Sequence, residues 1–351
     1  MTVKSRSVIK SEATSLLPDN TSGAISPADV RQRFLDIADS AVLPEDIHAA
    51  AGKPTPVDAD EIPLVDSAAS FGLAKFTWAT VKASLKSYTD TLYLSTTLAR
   101  REVLTASRTY YVATAGSDSN DGLTSGTAFL TIQKAVNVVL GLDLSTYNVT
   151  IQVADGTYTG STSVNAPFVG SGTVTIQGNP TTPANCLINP ATGGFYASKG
   201  AQISLSGFKV TPGSSAISAD GTGTIITLTG NMDFGTATNN HMAVTAGGTI
   251  IVNANYTISG SAQVHWNSDG LSVINCIGRT ITLTGTPAFA PCFALAGQIA
   301  FIKCYSCTFT GSATGPRYNV GYNSVIHTNG GGESYLPGSS NGSAANGGLY
   351  R

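Results

Sequence analysis

Few residues in this 351-residue chain could carry acid–base chemistry, and they are scattered. Beyond Asp155 the only carboxylates are those of Asp220, Asp233, Asp269 and Glu333. Glycoside hydrolysis uses two carboxyl groups, about 5–5.5 Å apart for retention and about 6.5–9.5 Å apart for inversion. Asp220 and Asp269 each precede a glycine, where turn formation accounts for the residue without chemistry, and Asp233 sits in GNMDFG, at a turn or strand edge. Asp220, Asp233 and Asp269 are therefore weak catalytic candidates, which become a pair only if the chain stacks them one or two rungs apart. A lyase would instead abstract a proton beside a uronate carboxylate with a Lys, Arg, His or Tyr base. Lys199, Lys209, His241, His265 and Arg279 are the candidates, and no cluster of aspartates accompanies them to hold calcium.

Metal and sulfur chemistry has little more to draw on. Asp118, Asn120 and Asp121 carry oxygens at calcium-like spacing but lack the closing bidentate Glu of a helix–loop–helix site. They are weak metal candidates, with turn stabilisation as the competing role, and no cofactor is implied. Cys186, Cys276, Cys292, Cys304 and Cys307 are odd in number, and no secretion signal precedes them, which argues against a disulfide framework. Cys304 and Cys307 have the spacing of half a zinc site without a second half. Small apolar thiols filling a core are the expectation, with Cys276 of VINC and Cys304 of FIKC at like positions of successive coils. The segment VHWNSDG groups His265, Trp266, Asn267 and Asp269. It suits a sugar held by ring stacking and hydrogen bonds, or equally a Trp in a loop or at a lateral contact between copies. His241 and His327 read as incidental surface or interface residues.

The elements that must position these residues fall into two parts. The first 105 residues hold 11 Lys/Arg and 13 Asp/Glu, which is 24 of the 40 charged residues, and the remaining 246 hold 16. Charged residues make up 11% of the chain and the formal net charge is −2, so no basic field exists to attract nucleic acid. No apolar run is long enough for a membrane span. Ser26, Pro27 and Asp29 predict a helix start, followed by an apolar face of Val30, Phe34, Ile37, Ala38 and Ala41. A Pro- and Asp-rich spacer runs through Pro54, Pro56, Asp58, Asp60 and Pro63. Trp78, Val81, Leu85, Tyr88 and Leu92 then alternate at three and four residues, the seam of a short coiled coil or the face of a helix packed on its own chain.

From residue 109 the pattern changes. Tyr110–Ala113 predict a strand, Gly116–Gly126 a polar loop, and Ile132, Ala135, Val136 and Val139 one face of a helix placed to cover the first coil of a solenoid. Strands then recur from Val149, Val174, Ile203, Ile225, Ile250, Leu271 and Ile299, spaced 25, 29, 22, 25, 21 and 28 residues apart. Apolar residues alternate with Thr, Ser, Gln or Asn before each Gly or Asn turn. A period of roughly 20–30 residues without helices predicts a parallel β-helix of about eight coils, near 40 Å long at about 4.8 Å per coil. A β-sandwich is the rival, favoured only by stretches such as TIIVNANYTISGSAQVHW.

The segment YYVATAGSDSNDGLTSGTAFLTIQKAVN, with VTIQVADGTYTG after it, resembles the opening of pectate-lyase-like right-handed β-helix proteins. DEIPLVDSAASFGLAKFTWATVKASL is similar to the neck of bacteriophage tail fibres and tailspikes, and NGGGESYLPGSSNGSAANGGLYR to their Gly-rich endings. The resemblance implies a virion-attachment region over 1–70, a helical neck over 71–105 that can form a trimeric coiled coil, a right-handed β-helix with a cap helix over 106–327, and a Gly-rich tail over 328–351. It also implies a homotrimeric appendage assembled in the host cytoplasm and carried on the virion. Such an appendage binds tail, baseplate or capsid proteins at one end and host polysaccharide or a further appendage protein at the other. A polysaccharide depolymerase on the same scaffold is the alternative, and the scarcity of carboxylates weighs against it. A bacterial surface adhesin is a third class, disfavoured by the missing secretion signal.

Overall fold

A computed structural model describes residue 11 and residues 26–40, 55–66, 72–93 and 101–351. The chain forms two compact units, Met1–Ala99 and Arg100–Arg351, divided close to the charge step.

In the first unit, helix α1 (Pro27–Ser40) starts where its capping residues predict. The Ser26 hydroxyl accepts the Asp29 N–H at 3.2 Å, and Asp29 Oδ2 accepts the Ser26 N–H at 2.9 Å, so two orphan donors of the first turn are satisfied reciprocally. The apolar face is uncovered among the described residues, with Phe34 69% exposed and Ile37 51%. The Ala38 side chain and Ala41 lie outside the described residues. The segment expected as a spacer ends in a β-hairpin, Glu61–Asp66 pairing antiparallel with Gly72–Thr77. An ion pair from Lys75 to Glu61 at 2.5 Å crosses it, and Lys82, beyond its second strand, pairs with Asp58 ahead of its first. Helix α2 (Trp78–Tyr93) follows directly, its first N–H bonded to the Asp60 carbonyl at 2.7 Å. Of the expected seam, Trp78 and Val81 are half-buried and Leu85 and Tyr88 are exposed. Leu92 belongs to the helix by its backbone, and its side chain lies outside the described residues.

The second unit is the single-stranded right-handed parallel β-helix that the strand period predicts, not a sandwich. Its strands stack into sheets of ten, eight and seven, and every neighbouring pair within them is parallel. Alternation builds it: Val149–Val153 buries Val149, Ile151 and Val153 and turns Thr150 and Gln152 outward. Register then places Ile151 beside Ile176 and Ile203 beside Ile226, so each coil adds another fully buried aliphatic layer. Each such side chain contributes roughly 1.5–3 kcal/mol by burial. Helix α3 (Ile132–Leu140) buries Ile132, Ala135, Val136 and Val139 against strands Arg108–Val112, Val149–Val153 and Thr162–Val164. All five cysteines are free and buried, and Cys276 lies level with Cys304, its N–H bonding to the Lys303 carbonyl at 2.8 Å.

Two boundaries differ from expectation. The Gly-rich residues 328–351 hold strands Ser343–Ala344 and Leu349–Tyr350, which pair with Asn319–Val320 and Val325–Ile326, so the stacking continues through them. The strands expected to begin at Leu271 and Ile299 begin instead at Val273 and Phe301. Leu271 and Ile299 occupy a left-handed turn, each at φ 63°, because the chain must change direction there to pass from one sheet to the next.

Candidate functional site

The outward face of the eight-stranded sheet gathers the polar side chains with potential for chemistry. Strands Phe195–Ser198, Ile217–Asp220, Asn240–Thr245, Val264–Asp269 and Ala294–Gly297 stack there in order. Register sets Ser198 beside Asp220 and Asp220 beside Thr245. Val244 pairs with Ser268, so Thr245 is level with Asp269, which in turn pairs with Gly297. Asp220 and Asp269 thus share one column with Thr245 between them, two rungs or roughly 9.5 Å apart. That is the outer limit for an inverting carboxylate pair.

The first carboxylate is held by hydroxyls. Thr245 Oγ1 donates to Asp220 Oδ1 at 2.6 Å and the Tyr196 hydroxyl to Asp220 Oδ2 at 3.3 Å. Gln298 Nε2 donates to Asp269 Oδ2 at 3.1 Å. Beside them, Ser161, Ser163, Thr192, Ser214 and Ser218 line a groove of about 280 Å³ that Tyr196 closes on one side. Tyr196 is 39% exposed, an aromatic ring among hydroxyls and carboxylates of the kind that binds sugar. Its signal in the sequence was its place as the outward residue of FYAS, between two core positions.

The remaining candidates separate from this face. Asp233 lies in the seven-stranded sheet, level with Lys209 and paired to it at 3.0 Å, so it joins neither Asp220 nor Asp269. Lys209 also donates to Ser259 Oγ at 3.0 Å, which makes it a structural cation. Lys199 is exposed in the turn that follows Ser198, Arg279 is half-buried, and His241 and His265 are fully buried.

The expected sugar platform does not form. His265 and Trp266 have no exposed surface, and Trp266 packs edge-on against Phe293 with ring centroids 5.2 Å apart. Val264, His265 and Trp266 are buried in succession because the strand starts at a corner, where alternation fails. Of VHWNSDG only Asn267 and Asp269 reach the outward face. His241 is likewise a core residue rather than a surface one.

The suggested calcium loop is also satisfied internally. Asp118 Oδ1 accepts the Leu130 and Thr131 N–H groups, both at 2.9 Å, and Oδ2 accepts the Thr131 hydroxyl at 2.8 Å. Asp121 Oδ1 accepts from Leu123 N–H and Thr127 Oγ1, which holds its pKa below the ordinary carboxylate value. Asn120 uses its amide on the Ala128 carbonyl at 2.9 Å. These side chains fold the loop and cap α3. Among the described residues no group of three or more His, Cys, Asp or Glu is arranged to hold a metal ion.

No family model matches this sequence, and no curated protein does. Among solved structures, a rhamnogalacturonan lyase is similar at 15% identity, with a TM-score of 0.31, over 64% of this chain and 69% of that one.

A second groove, of about 370 Å³, lies over the ten-stranded sheet between the loop at Pro167–Thr173 and Gln202, Ser204, Ile225 and Thr227. Its lining contains no ionisable side chain, so it offers shape and hydrogen bonds only.

Proposed function

We propose that this chain is a structural and receptor-binding appendage of a bacteriophage particle, a tail fibre, tailspike or head fibre. It works as a homotrimer, docked to tail, baseplate or capsid proteins by its N-terminal region and presenting the β-helix to host surface polysaccharide or to a further appendage protein. The observation that carries this reading is helix α2, which keeps Leu85 55% and Tyr88 62% exposed at coiled-coil spacing immediately before the solenoid unit. Three such helices side by side would cover those rings and methyls, at a contact two heptads long that needs the neighbouring units to hold copies together. The hydroxyl-rich face around Tyr196 suits neutral sugar rings, with Asp220 as an acceptor and Asn267 as a donor and acceptor for their hydroxyl groups. Reconstruction of the particle, with antibody fragments against the solenoid unit as markers, tests the placement. An appendage must be labelled at the particle surface, and an unlabelled particle ends the proposal.

The Asp220–Thr245–Asp269 column favours one second reading, an inverting polysaccharide depolymerase. Incubating the purified chain with host capsule or lipopolysaccharide and following new reducing ends decides it. An enzyme releases them and Asp220→Asn abolishes the release, whereas a receptor-binding appendage retains the glycan uncut.

A further inference from the structure

Five consecutive coils share one turn position. The backbone N–H groups of Gly247, Leu271, Ile299 and Asn323 bond in turn to the carbonyls of Gly270, Gln298, Tyr322 and Asn346, each the residue before the next occupant. Gly247, Leu271, Ile299, Asn323 and Gly347 are therefore equivalent, and all have positive φ, between 57° and 84°. Gly and Asn fit a left-handed turn, while Leu and β-branched Ile do not. The misfits are also strongly exposed, Leu271 at 68% and Ile299 at 62%, and Tyr322 beside them in the next coil is 62% exposed. Solvent exposure and backbone conformation both disfavour these side chains here, so nothing within the monomer explains them.

The adjoining column of the ten-stranded sheet turns apolar over the same coils. It pairs Gln202, Ile225, Thr249, Val273, Phe301 and Val325 in that order, half-exposed from Ile225 onward, and polar residues give way to apolar ones towards the C-terminus. Leu271, Val273, Ile299, Phe301, Tyr322 and Val325 thus form one strip along successive coils, about 4.8 Å apart. A contiguous apolar strip bordered by polar residues marks a contact surface.

Its two borders differ in charge. Asp269 lies on the eight-stranded side, two residues before Leu271, and Lys303 on the other, two residues beyond Phe301. No carboxylate among the described residues pairs with Lys303, whose Nζ lies 5.4 Å from the Phe301 ring centre. Asp269 belongs to the coil of Val273 and Lys303 to the next, one rung away and within side-chain reach. A rotation axis parallel to the solenoid brings the Asp269 border of one copy against the Lys303 border of its neighbour while their apolar strips meet, a closed head-to-tail contact with complementary charge.

We propose that this strip is the surface on which a second copy of this chain packs, parallel and level with the first. The inference rests on the self-association in the proposed function and locates a contact on the solenoid, apart from helix α2. Sedimentation velocity of the full chain over a concentration series tests it, comparing wild type with Leu271→Gly/Ile299→Gly. Glycine already occupies this turn at Gly247 and Gly347, so the double variant keeps its fold, as its circular dichroism and melting will report. The strip predicts at least a tenfold weaker association for the double variant and for Asp269→Lys or Lys303→Asp alone, with association recovered when both charges are exchanged. Wild type that associates while every strip variant associates equally overturns the strip and leaves the trimer reading standing. Wild type that is monomeric throughout overturns both.

Discussion

His265 Nδ1 lies 2.9 Å from His241 Nδ1, with both rings fully buried between Phe234, Phe289 and Phe293. The partners fix the proton positions. His241 Nε2 donates to the Gly235 carbonyl at 2.9 Å, which leaves its Nδ1 as an acceptor for His265 Nδ1–H. His265 Nε2 then accepts the Tyr256 hydroxyl at 2.7 Å. Every ring nitrogen is satisfied only while both imidazoles are neutral. Desolvation accordingly pulls His241 down to about 4 and His265 well below its ordinary value. Unfolded histidines titrate near ~6.5, so below that pH the unfolded chain binds more protons than the folded one. Stability is therefore fully present above about 6.5 and falls as pH drops towards 4, by up to about 1.4 kcal/mol per pH unit for each histidine, and below about 4 the His241 contribution levels off while that of His265 continues. Denaturant titrations between neutral and acid pH will show this slope, and His265→Gln, which keeps a donor and an acceptor, will roughly halve it.

The loop before α3 makes a second prediction. Asp118 accepts three hydrogen bonds at the start of the helix that covers the first coils. Replacing it with Ala leaves two partly solvated backbone donors without their partner and should cost about 1–2 kcal/mol. Because these oxygens are already occupied, calcium or a chelator should leave the melting temperature of the wild type unchanged. A calcium-dependent rise would overturn the assignment of Asp118 as a cap.

Close stacking of coils makes some glycines irreplaceable and others not. A Cβ on Gly315 would sit 1.8 Å from the Phe289 carbonyl oxygen, at φ 101°, whereas one on Gly330, at φ 80°, would meet nothing within 4 Å. Gly330→Ala should therefore cost only the left-handed backbone penalty, about 1–2 kcal/mol. Gly315→Ala must also push neighbouring coils apart and should exceed that cost clearly, as paired thermal melts will report.

The solenoid was legible because alternation and turn chemistry agree in almost every coil, as in Val149–Val153 and the cap helix face of Ile132, Ala135, Val136 and Val139. The site was less so, because its column depends on coil length. Asp220 and Thr245 are 25 residues apart and Thr245 and Asp269 are 24, offsets set by loop excursions that leave no periodic trace in sequence. The misplacement of Trp266 has a related cause, since three successive buried residues at a corner mimic an exposed polar cluster when read two by two. Leu271 and Ile299 look like strand residues by type, and only hydrogen bonding between neighbouring coils reveals them as turn residues. The hairpin of Glu61–Asp66 and Gly72–Thr77 was hidden by Pro63, which lies within its first strand.

The two aromatic residues considered for sugar contact have opposite environments, and substitution separates their roles. Trp266 is fully buried among Phe293, Phe309 and His265. Trp266→Ala should open a cavity and cost about 3–5 kcal/mol. Tyr196 stands on the surface, with Asp220 as its hydrogen-bond partner and the serine-lined groove beside it. Tyr196→Ala should change stability by less than about 1 kcal/mol, the range of a partly exposed hydrogen bond. If the face holds glycan, the same change removes the ring on which a sugar stacks and weakens binding about tenfold. Glycan-array or calorimetric binding of the folded variant measures that loss. Unchanged binding by Tyr196→Ala would move the glycan site off this face, to the groove over Gln202 and Thr227 or to another part of the chain.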